Sequence, residues 1–311
     1  DLGDSGFDMK PFLSGFDYVF TGFGGATSYS GPSALRVMKS ACGQLPHSAL
    51  YADSPAGCYL MDDLRAAGFK TFTMLSHNGL YAGFADDIRR YGHADQPLPA
   101  DGLPLEYRMF DGSPLRADGA ALDRAWKARL ASGAARAVIY FNTDNLHIGT
   151  VKPGEARGPD DAAAYRGRLA RLTAELQSFF DELRSSGRRA VVVFVPEHGA
   201  ALTGSRMQPK DVREIPLPPI TMLPVAVKLI GPGLPAPAGP QVIEKPASLM
   251  ALAWLMAEFL RNDPFSPAGR RPAAVAADVP GTVFMAENEN AAVMRAGAGY
   301  IYSKKGGSWE P

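Results

Sequence analysis

Three strand-like runs each end in side chains able to do chemistry, and the residue types say which chemistry. In "FDYVFTGFGGATSYSGPSALR" the run delivers Thr27, Ser28, Tyr29 and Ser30 to a turn, and Gly31 and Pro32 open a helix-like segment. A hydroxyl at such a turn meets free N–H groups and the positive end of the helix dipole. That setting suits an alkoxide nucleophile or a bound phosphate. It equally suits an ordinary helix cap with Pro just inside the helix. In "AVVVFVPEHGAAL" an apolar run ends in Pro196, Glu197, His198 and Gly199. A carboxylate beside an imidazole can be a hydrogen-bonded pair, or two ligands of the kind that suit Zn²⁺. Adjacent strand residues point to opposite faces, so a shared site requires the chain to leave the strand at Pro196. In "VIYFNTDNLHIG" a third run hands His147 to a loop. There it is either a surface histidine or a group that binds a phosphoryl oxygen or protonates a leaving group. His77 in "MLSHNG" repeats that pattern, whereas His47 and His93 lie in loop-like sequence and read as structural.

The elements that must position these residues alternate between two patterns. Strands are expected at "DYVFTGF", "KTFTML", "AVIYFN", "AVVVFV" and "VAVKLIG", and helices near Ala34–Ala41, Leu60–Ala67, Ala120–Leu130, Asp161–Arg184 and Ala247–Arg261. In the fourth helix Tyr165, Leu169, Leu172, Leu176, Phe179 and Leu183 recur at steps of four and three, giving one apolar stripe. Apolar strands separated by such helices predict an α/β fold with a mostly parallel central sheet sandwiched by helices. Ligands then bind at the carboxyl ends of the strands, where the three clusters lie. The stretch after Pro280 reads as a small β-rich segment. "PLPADGLP", "GEARGPDD" and "GPGLPAPAGP" read as surface loops. No repeat or boundary forces a second domain.

The chain has 311 residues, with 32 basic and 32 acidic side chains that cancel. This gives no electrostatic case for nucleic acid. The longest apolar run, "LMALAWLMAEFL", contains Glu258 and reads as a core helix rather than a membrane span. Two cysteines, Cys42 and Cys58, exclude a structural zinc site of several thiolates. Two buried thiols and a disulfide stapling the loop between them are both open readings.

The hydroxyl turn, the acid–histidine pair and the loop histidine together resemble the alkaline-phosphatase superfamily. "FTGFGGATSYSGPSALR", "SACGQ" with Cys58 following, "HNG", "FDGSP", "VPEHGAALTGSRM" and "PVAVKLIG" resemble, in the same order, the periplasmic catalytic domain of the BcsG-type cellulose phosphoethanolamine transferases. The resemblance implies one catalytic domain over residues 1–311, with Ser30 as nucleophile and Zn²⁺ ligand. Glu197 and His198 are then further Zn²⁺ ligands, and Tyr29 and His147 catalytic neighbours. Arg213, Arg206 and His77 are candidates for binding substrate. A metal lowers the pKa of a serine hydroxyl that is otherwise too weakly acidic to attack. A further cysteine ligand and membrane helices are expected upstream of Asp1, with Asp1 or Asp4 as less favoured substitutes for that ligand. The implied protein is a periplasmic domain of a bacterial inner-membrane protein. Its donor is phosphatidylethanolamine, its acceptor the glucose 6-hydroxyl of cellulose, and its partners subunits of the cellulose synthase complex. An oxidising compartment favours the Cys42–Cys58 disulfide.

Other functions compete. A phosphodiesterase or phosphatase of the same fold differs only in using water as acceptor. A sulfatase is disfavoured, because "GPSALR" after Ser30 does not supply a C/S-x-P-x-R maturation motif. An α/β-hydrolase is disfavoured by the lack of a G-x-S-x-G elbow. A non-catalytic partner domain would have no need to keep Ser30, His147, Glu197 and His198 together.

Overall fold

The computed structural model describes residues 6–156, 162–234, 239–305 and 307–310. Asp1 and Asp4 lie outside the described residues, as do 157–161 and 235–238 of two expected surface loops. The strands are β1 (Tyr18–Gly24), β2 (Lys70–Leu75), β3 (Leu105–Arg108), β4 (Pro114–Arg116), β5 (Ala137–Asn142), β6 (Ala190–Phe194), β7 (Met222–Ile230), β8 (Gln241–Ile243), β9 (Met285–Glu287), β10 (Ala291–Ala296) and β11 (Gly299–Lys304). The helices are α1 (Lys10–Leu13), α2 (Ser30–Met38), α3 (Leu60–Ala66), α4 (Phe84–Arg90), α5 (Asp118–Ala131), α6 (Ala162–Ser185), α7 (Pro218–Thr221), α8 (Leu249–Arg261) and α9 (Pro272–Asp278).

The main sheet has the order β6-β7-β1-β8. Strand β7 runs antiparallel to both β1 and β6, and β8 runs parallel to β1. Three strands therefore share one direction and β7 opposes them. β2 and β5 form a parallel pair, from Lys70 opposite Ala137 to Leu75 opposite Asn142. The C-terminal segment is an antiparallel sheet, β11-β10-β9.

Alternation along the strands builds a core on each face. Tyr18, Phe20, Val225, Val227 and Leu229 pack with Leu252, Leu255 and Phe259 of α8 and Val275 of α9. Val19, Ala226 and Ile230 point the other way, onto Phe180 and Leu183 of α6, Trp126 of α5 and Phe16. The stripe expected on α6 is shifted at one position. Phe180 is buried, and Phe179 is only half-buried. After Leu176 a step of four, not three, keeps the side chain facing the sheet, because the helical repeat exceeds 3.5 residues. Phe180 then stands edge-on to Phe16 with centroids 5.7 Å apart.

The loops leaving β2 and β5 are tied together before either reaches the site. The Ser76 N–H donates to the Asn142 carbonyl (3.0 Å), and the Arg116 N–H donates to the Ser76 carbonyl (2.7 Å). The Asn145 side-chain amide donates to the Arg116 carbonyl (3.1 Å). Asp118, first residue of α5, is buried among Asn145, Thr143 and Ser76. Cys42 and Cys58 form a disulfide across 16 residues. A closure of this length stabilises by about 3 kcal/mol, chiefly by restricting the unfolded chain. The buried Lys39 ammonium donates inside that loop to the carbonyls of Leu50 (2.9 Å) and Ala52 (2.7 Å). No helix among the described residues is long and apolar enough to cross a membrane.

Burial raises the Asp118 carboxyl from 3.8 to about 6. The folded protein therefore holds a proton there that the unfolded chain releases at lower pH. Stability from this group is fully present below pH 3.8 and is lost as pH rises through about 6, on the order of 3 kcal/mol. Asp118→Asn should flatten the dependence of the urea midpoint on pH between 4 and 6; an unchanged slope would remove Asp118 from that dependence.

Candidate active site

Strand β1 ends at Gly24, and the chain crosses to α2 through a tightly packed turn. A Cβ on Gly25 would lie 2.6 Å from Leu223 Cδ1 and 3.1 Å from the Thr221 carbonyl oxygen, so only glycine fits there. That close approach lets the Gly25 N–H donate to the Thr221 carbonyl at 2.6 Å. The hydroxyl turn is then clamped by Asn288, just after β9. Thr27 Oγ1 donates to Asn288 Oδ1 (2.7 Å), and the Ser28 N–H donates to the same oxygen (3.1 Å). Asn288 Nδ2 is placed to donate to Ser28 Oγ (2.8 Å) and to the carbonyls of Arg213 (2.9 Å) and Glu214 (2.9 Å). One amide thus joins the turn before Ser30 to the loop carrying Arg213.

Tyr29 precedes α2 in an extended conformation and Ser30 is the first helical residue. The Tyr29 hydroxyl donates to Glu214 Oε1 at 2.7 Å, and the Arg213 guanidinium lies 5.8 Å from its ring centroid. Burial, reinforced by the bond to Glu214, raises the phenol to about 12.

Beyond β6 the chain leaves the extended path at Pro196, as a shared site requires. Ser30 Oγ lies 3.1 Å from His198 Nε2, and Ser33 Oγ donates to the Glu197 carbonyl (3.2 Å). The next loop doubles back through two residues with left-handed backbone, Ala201 (φ 55°) and Asp211 (φ 68°), bridged by the Asp211 N–H donating to the Ala201 carbonyl. The buried Gln208 side chain closes it by pairing with the Ile215 backbone through two 2.9 Å bonds. Arg213 is thereby returned to the site. Its Nη1 lies 2.9 Å from His198 Nδ1 and 3.2 Å from Nε2, and its Nη2 lies 3.4 Å from His147 Nε2.

A second chain of contacts fixes the Glu197 carboxylate. Asn142, the last residue of β5, donates from Nδ2 to Glu197 Oε1 (2.7 Å). Its Oδ1 meets His77 Nε2 (2.9 Å), and His77 Nδ1 accepts from the Gly79 N–H (3.1 Å). Asp144 Oδ2 lies 3.5 Å from His77 Nδ1.

These surroundings set the charges. Burial, with the Asp144 charge beside it, pushes Glu197 up to about 8 despite hydrogen bonds from Ser30 and Asn142. Burial, with the Arg213 guanidinium, pushes His198 down to about 3. Arg213 is itself lowered, chiefly by burial. A neutral imidazole whose Nδ1 faces a backbone carbonyl, here Gly199 at 2.9 Å, is the arrangement in which Nε2 offers a lone pair to a metal. An enclosed carboxyl group that resists ionisation on its own is stabilised as a carboxylate by a nearby cation. One carboxylate, one imidazole and one hydroxyl on Ser30, Glu197 and His198 therefore fit a Zn²⁺-type ion as donors. Among the described residues, no three His, Cys, Asp or Glu side chains gather into a metal-holding group.

The structure brings Ser30, Glu197, His198, Arg213, His147 and Tyr29 to one place. His77 is buried and reaches it through Asn142. Arg206 is exposed and takes part in none of the contacts above. His47 accompanies Glu287, whose Oε2 accepts its backbone N–H (3.0 Å), and His93 stacks on Tyr59 with ring centroids 3.7 Å apart. Asn142, Glu214, Gln208 and Asn288 were not anticipated from the sequence. Only Asn142 carried a signal, as the polar end of an apolar strand.

Solved structures place this architecture. A protein in the alkaline phosphatase superfamily from Vibrio parahaemolyticus matches 99% of this chain and 74% of its own, with TM-score 0.60 and 13% identity. The C-terminal periplasmic domain of EcEptC from Escherichia coli, in complex with Zn, matches 87% of this chain and 78% of its own, with TM-score 0.61 and 14% identity. The fold is thus alkaline-phosphatase-like. Residues 1–309 match the family model of the cellulose biosynthesis protein BcsG C-terminal domain, and the chain belongs to that family. It is 37% identical to cellulose biosynthesis protein BcsG of Escherichia coli (strain K12) over 312 residues, covering 100% of this chain but 55% of that relative. The chain therefore spans about half the length of the curated relative it matches.

Asn288→Ala should lower unfolding free energy by roughly 2–4 kcal/mol, because several buried partners lose their hydrogen bonds together. Urea denaturation checks this. A loss below about 1 kcal/mol would show that the hydroxyl turn holds itself without the clamp.

Proposed function

We propose that this chain is one catalytic domain that transfers phosphoethanolamine from phosphatidylethanolamine to the glucose 6-hydroxyl of cellulose, with Ser30 as the covalent carrier. The observation that carries this reading is the 3.1 Å approach of Ser30 Oγ to His198 Nε2 at a helix start, with Arg213 and His147 facing the same space. Membership of a cellulose biosynthesis family supports the acceptor, the alkaline-phosphatase-like fold supports the phosphoryl chemistry, and the periplasmic EcEptC domain of like fold supports the compartment.

In the first step the Ser30 hydroxyl gives up its proton as Oγ attacks phosphorus, the bond to the diacylglycerol oxygen breaks, and one proton is returned to that oxygen, so none is gained or lost overall. His147 is placed for that return. In the second step the sugar hydroxyl loses its proton as its oxygen attacks the same phosphorus, the bond to Ser30 Oγ breaks, and a proton returns to Oγ to restore the serine hydroxyl. Arg213 holds phosphoryl oxygens in both steps, as its planar fork of donors allows. Tyr29 stays a neutral donor at working pH and borders the nucleophile. Asn142, backed by His77, keeps the Glu197 carboxylate aimed at Ser30. Arg206, out on its exposed turn, engages the more distant part of a substrate. A Zn²⁺ held by Ser30, Glu197 and His198 would supply a lowered serine pKa and charge neutralisation. The wider protein is then a periplasmic domain beside the inner membrane, working with cellulose synthase subunits.

The test is mass spectrometry after incubation with a phosphatidylethanolamine analogue and Zn²⁺. Phosphoethanolamine should appear on Ser30, and cello-oligosaccharide should remove it with transfer to sugar. Ser30→Ala should lose at least about a thousandfold in rate while remaining folded. Full activity in Ser30→Ala would exclude the nucleophile. An adduct released only to water would identify a hydrolase instead.

A further inference from the structure

Two loops beside the site carry exposed rings that the phosphoryl chemistry leaves unused. "HNG" after β2 leads into Leu80 and Tyr81, and "FDGSP" between β3 and β4 begins with Phe110. Leu80 is 75% exposed, Tyr81 50% and Phe110 38%. Single exposed apolar residues need no explanation, whereas a contiguous row running into a reactive site does. Tyr81 meets Phe110 edge-to-face, with centroids 5.0 Å apart and planes at 87°. Phe110 in turn lies 5.3 Å from the His147 ring. The Tyr81 phenol is within electrostatic reach of Tyr29 and Arg213. The row therefore leads from solvent to the groups around Ser30.

Both loops are held in shape. Gly79 has φ 69°, and a Cβ there would lie 2.6 Å from that of Ala85. Ala82, next to Tyr81, is itself left-handed at φ 49°. Such strain persists where surrounding structure over-determines the backbone, and it gathers at ligand sites. The Met109 N–H donates to the Ser113 carbonyl (2.9 Å), and the Gly112 N–H donates to the Met109 carbonyl (2.9 Å), which fixes the turn under Phe110.

We propose that Phe110 and Tyr81 form the acceptor subsite, a platform on which a glucan ring stacks with its primary hydroxyl toward His147 and Ser30. The inference rests on the transferase reading above and names the surface that selects the acceptor. A β-linked pyranose has weakly positive C–H faces and a rim of hydroxyls. Its faces match the negative face of an aromatic ring. Its rim matches the exposed polar groups beside these rings: Asn78, Arg108 and Asp111. These groups are already aligned by bonds to Ser113 Oγ (3.4 Å), the Gly112 carbonyl (2.9 Å) and the Ser113 N–H (2.8 Å). A lipid acyl chain would call for a continuous aliphatic trough. Crossed rings with a polar border suit a sugar chain.

Cellopentaose is the probe, read in two ways on the whole chain with Zn²⁺ present. In steady-state transfer, Phe110→Ala should raise KM for cellopentaose about tenfold, well beyond any change in the rate of Ser30 adduct formation, and Phe110→Tyr should restore it. In an NMR titration without donor, cellopentaose should shift the Tyr81 and Phe110 ring signals, and Phe110→Ala should weaken binding by the same factor. Wild-type KM and binding in both Phe110→Ala and Tyr81→Ala would overturn the platform. Slower adduct formation from phosphatidylethanolamine vesicles with unchanged cellopentaose KM would also overturn it, assigning the row to the lipid donor. A wild-type chain that forms no adduct would strike the transferase reading alone, since the titration decides the platform independently.

Discussion

The site depends on one electrostatic constraint: a carboxyl group and an imidazole lie together, half-buried, beside a serine hydroxyl. Each resists its charged form there, Glu197 held up near 8 and His198 down near 3. Such groups are tolerated only when their hydrogen-bonding capacity is filled and a cation is near. The surrounding structure is arranged to meet that need. Asn142 fills one side of the carboxylate, the Gly199 carbonyl faces one nitrogen of the imidazole, and the Arg213 guanidinium favours the carboxylate while keeping the imidazole neutral. The loop that returns Arg213 is long and irregular, so it is closed twice, by Gln208 on its own backbone and by Asn288 from the C-terminal sheet.

This explains why an antiparallel segment at the end of the chain matters to a turn near its start. Asn288 is 260 residues from Ser28, yet it satisfies the backbone and hydroxyl groups of the turn just before Tyr29 and Ser30. Strand β9 reaches the same turn through the Glu287 N–H, which donates to the Ala26 carbonyl at 2.8 Å. A buried amide with every donor and acceptor engaged is a rigid joint, because losing any partner leaves a polar group unpaired.

The strands that carry reactive residues were legible because apolar runs ending in polar clusters are hard to mistake, and β2 and β5 coincide with their expected spans. The gathering of Ser30, His147, Glu197 and His198 followed from the rule that such strands share a carboxyl edge. Arg213 was placed only through the family resemblance, since a loop arginine has no local mark of function. Asn142 and Asn288 were not anticipated as joints because a neutral amide does not announce its partner. The opposing direction of β7 was equally hidden, since alternation reads the same in both directions. On α6 the choice between Phe179 and Phe180 turned on one step of a repeat that allows three or four.

In the proposed reading Ser30, Glu197 and His198 hold a cation whose charge offsets the burial of the pair. Calorimetric titration of Zn²⁺ into the wild-type chain, Glu197→Gln and His198→Ala tests it without reference to turnover. The account predicts one Zn²⁺ per wild-type chain and at least about a tenfold loss of affinity in each variant, since even groups that only orient ligands cost that much. Equal affinity in all three proteins would contradict it.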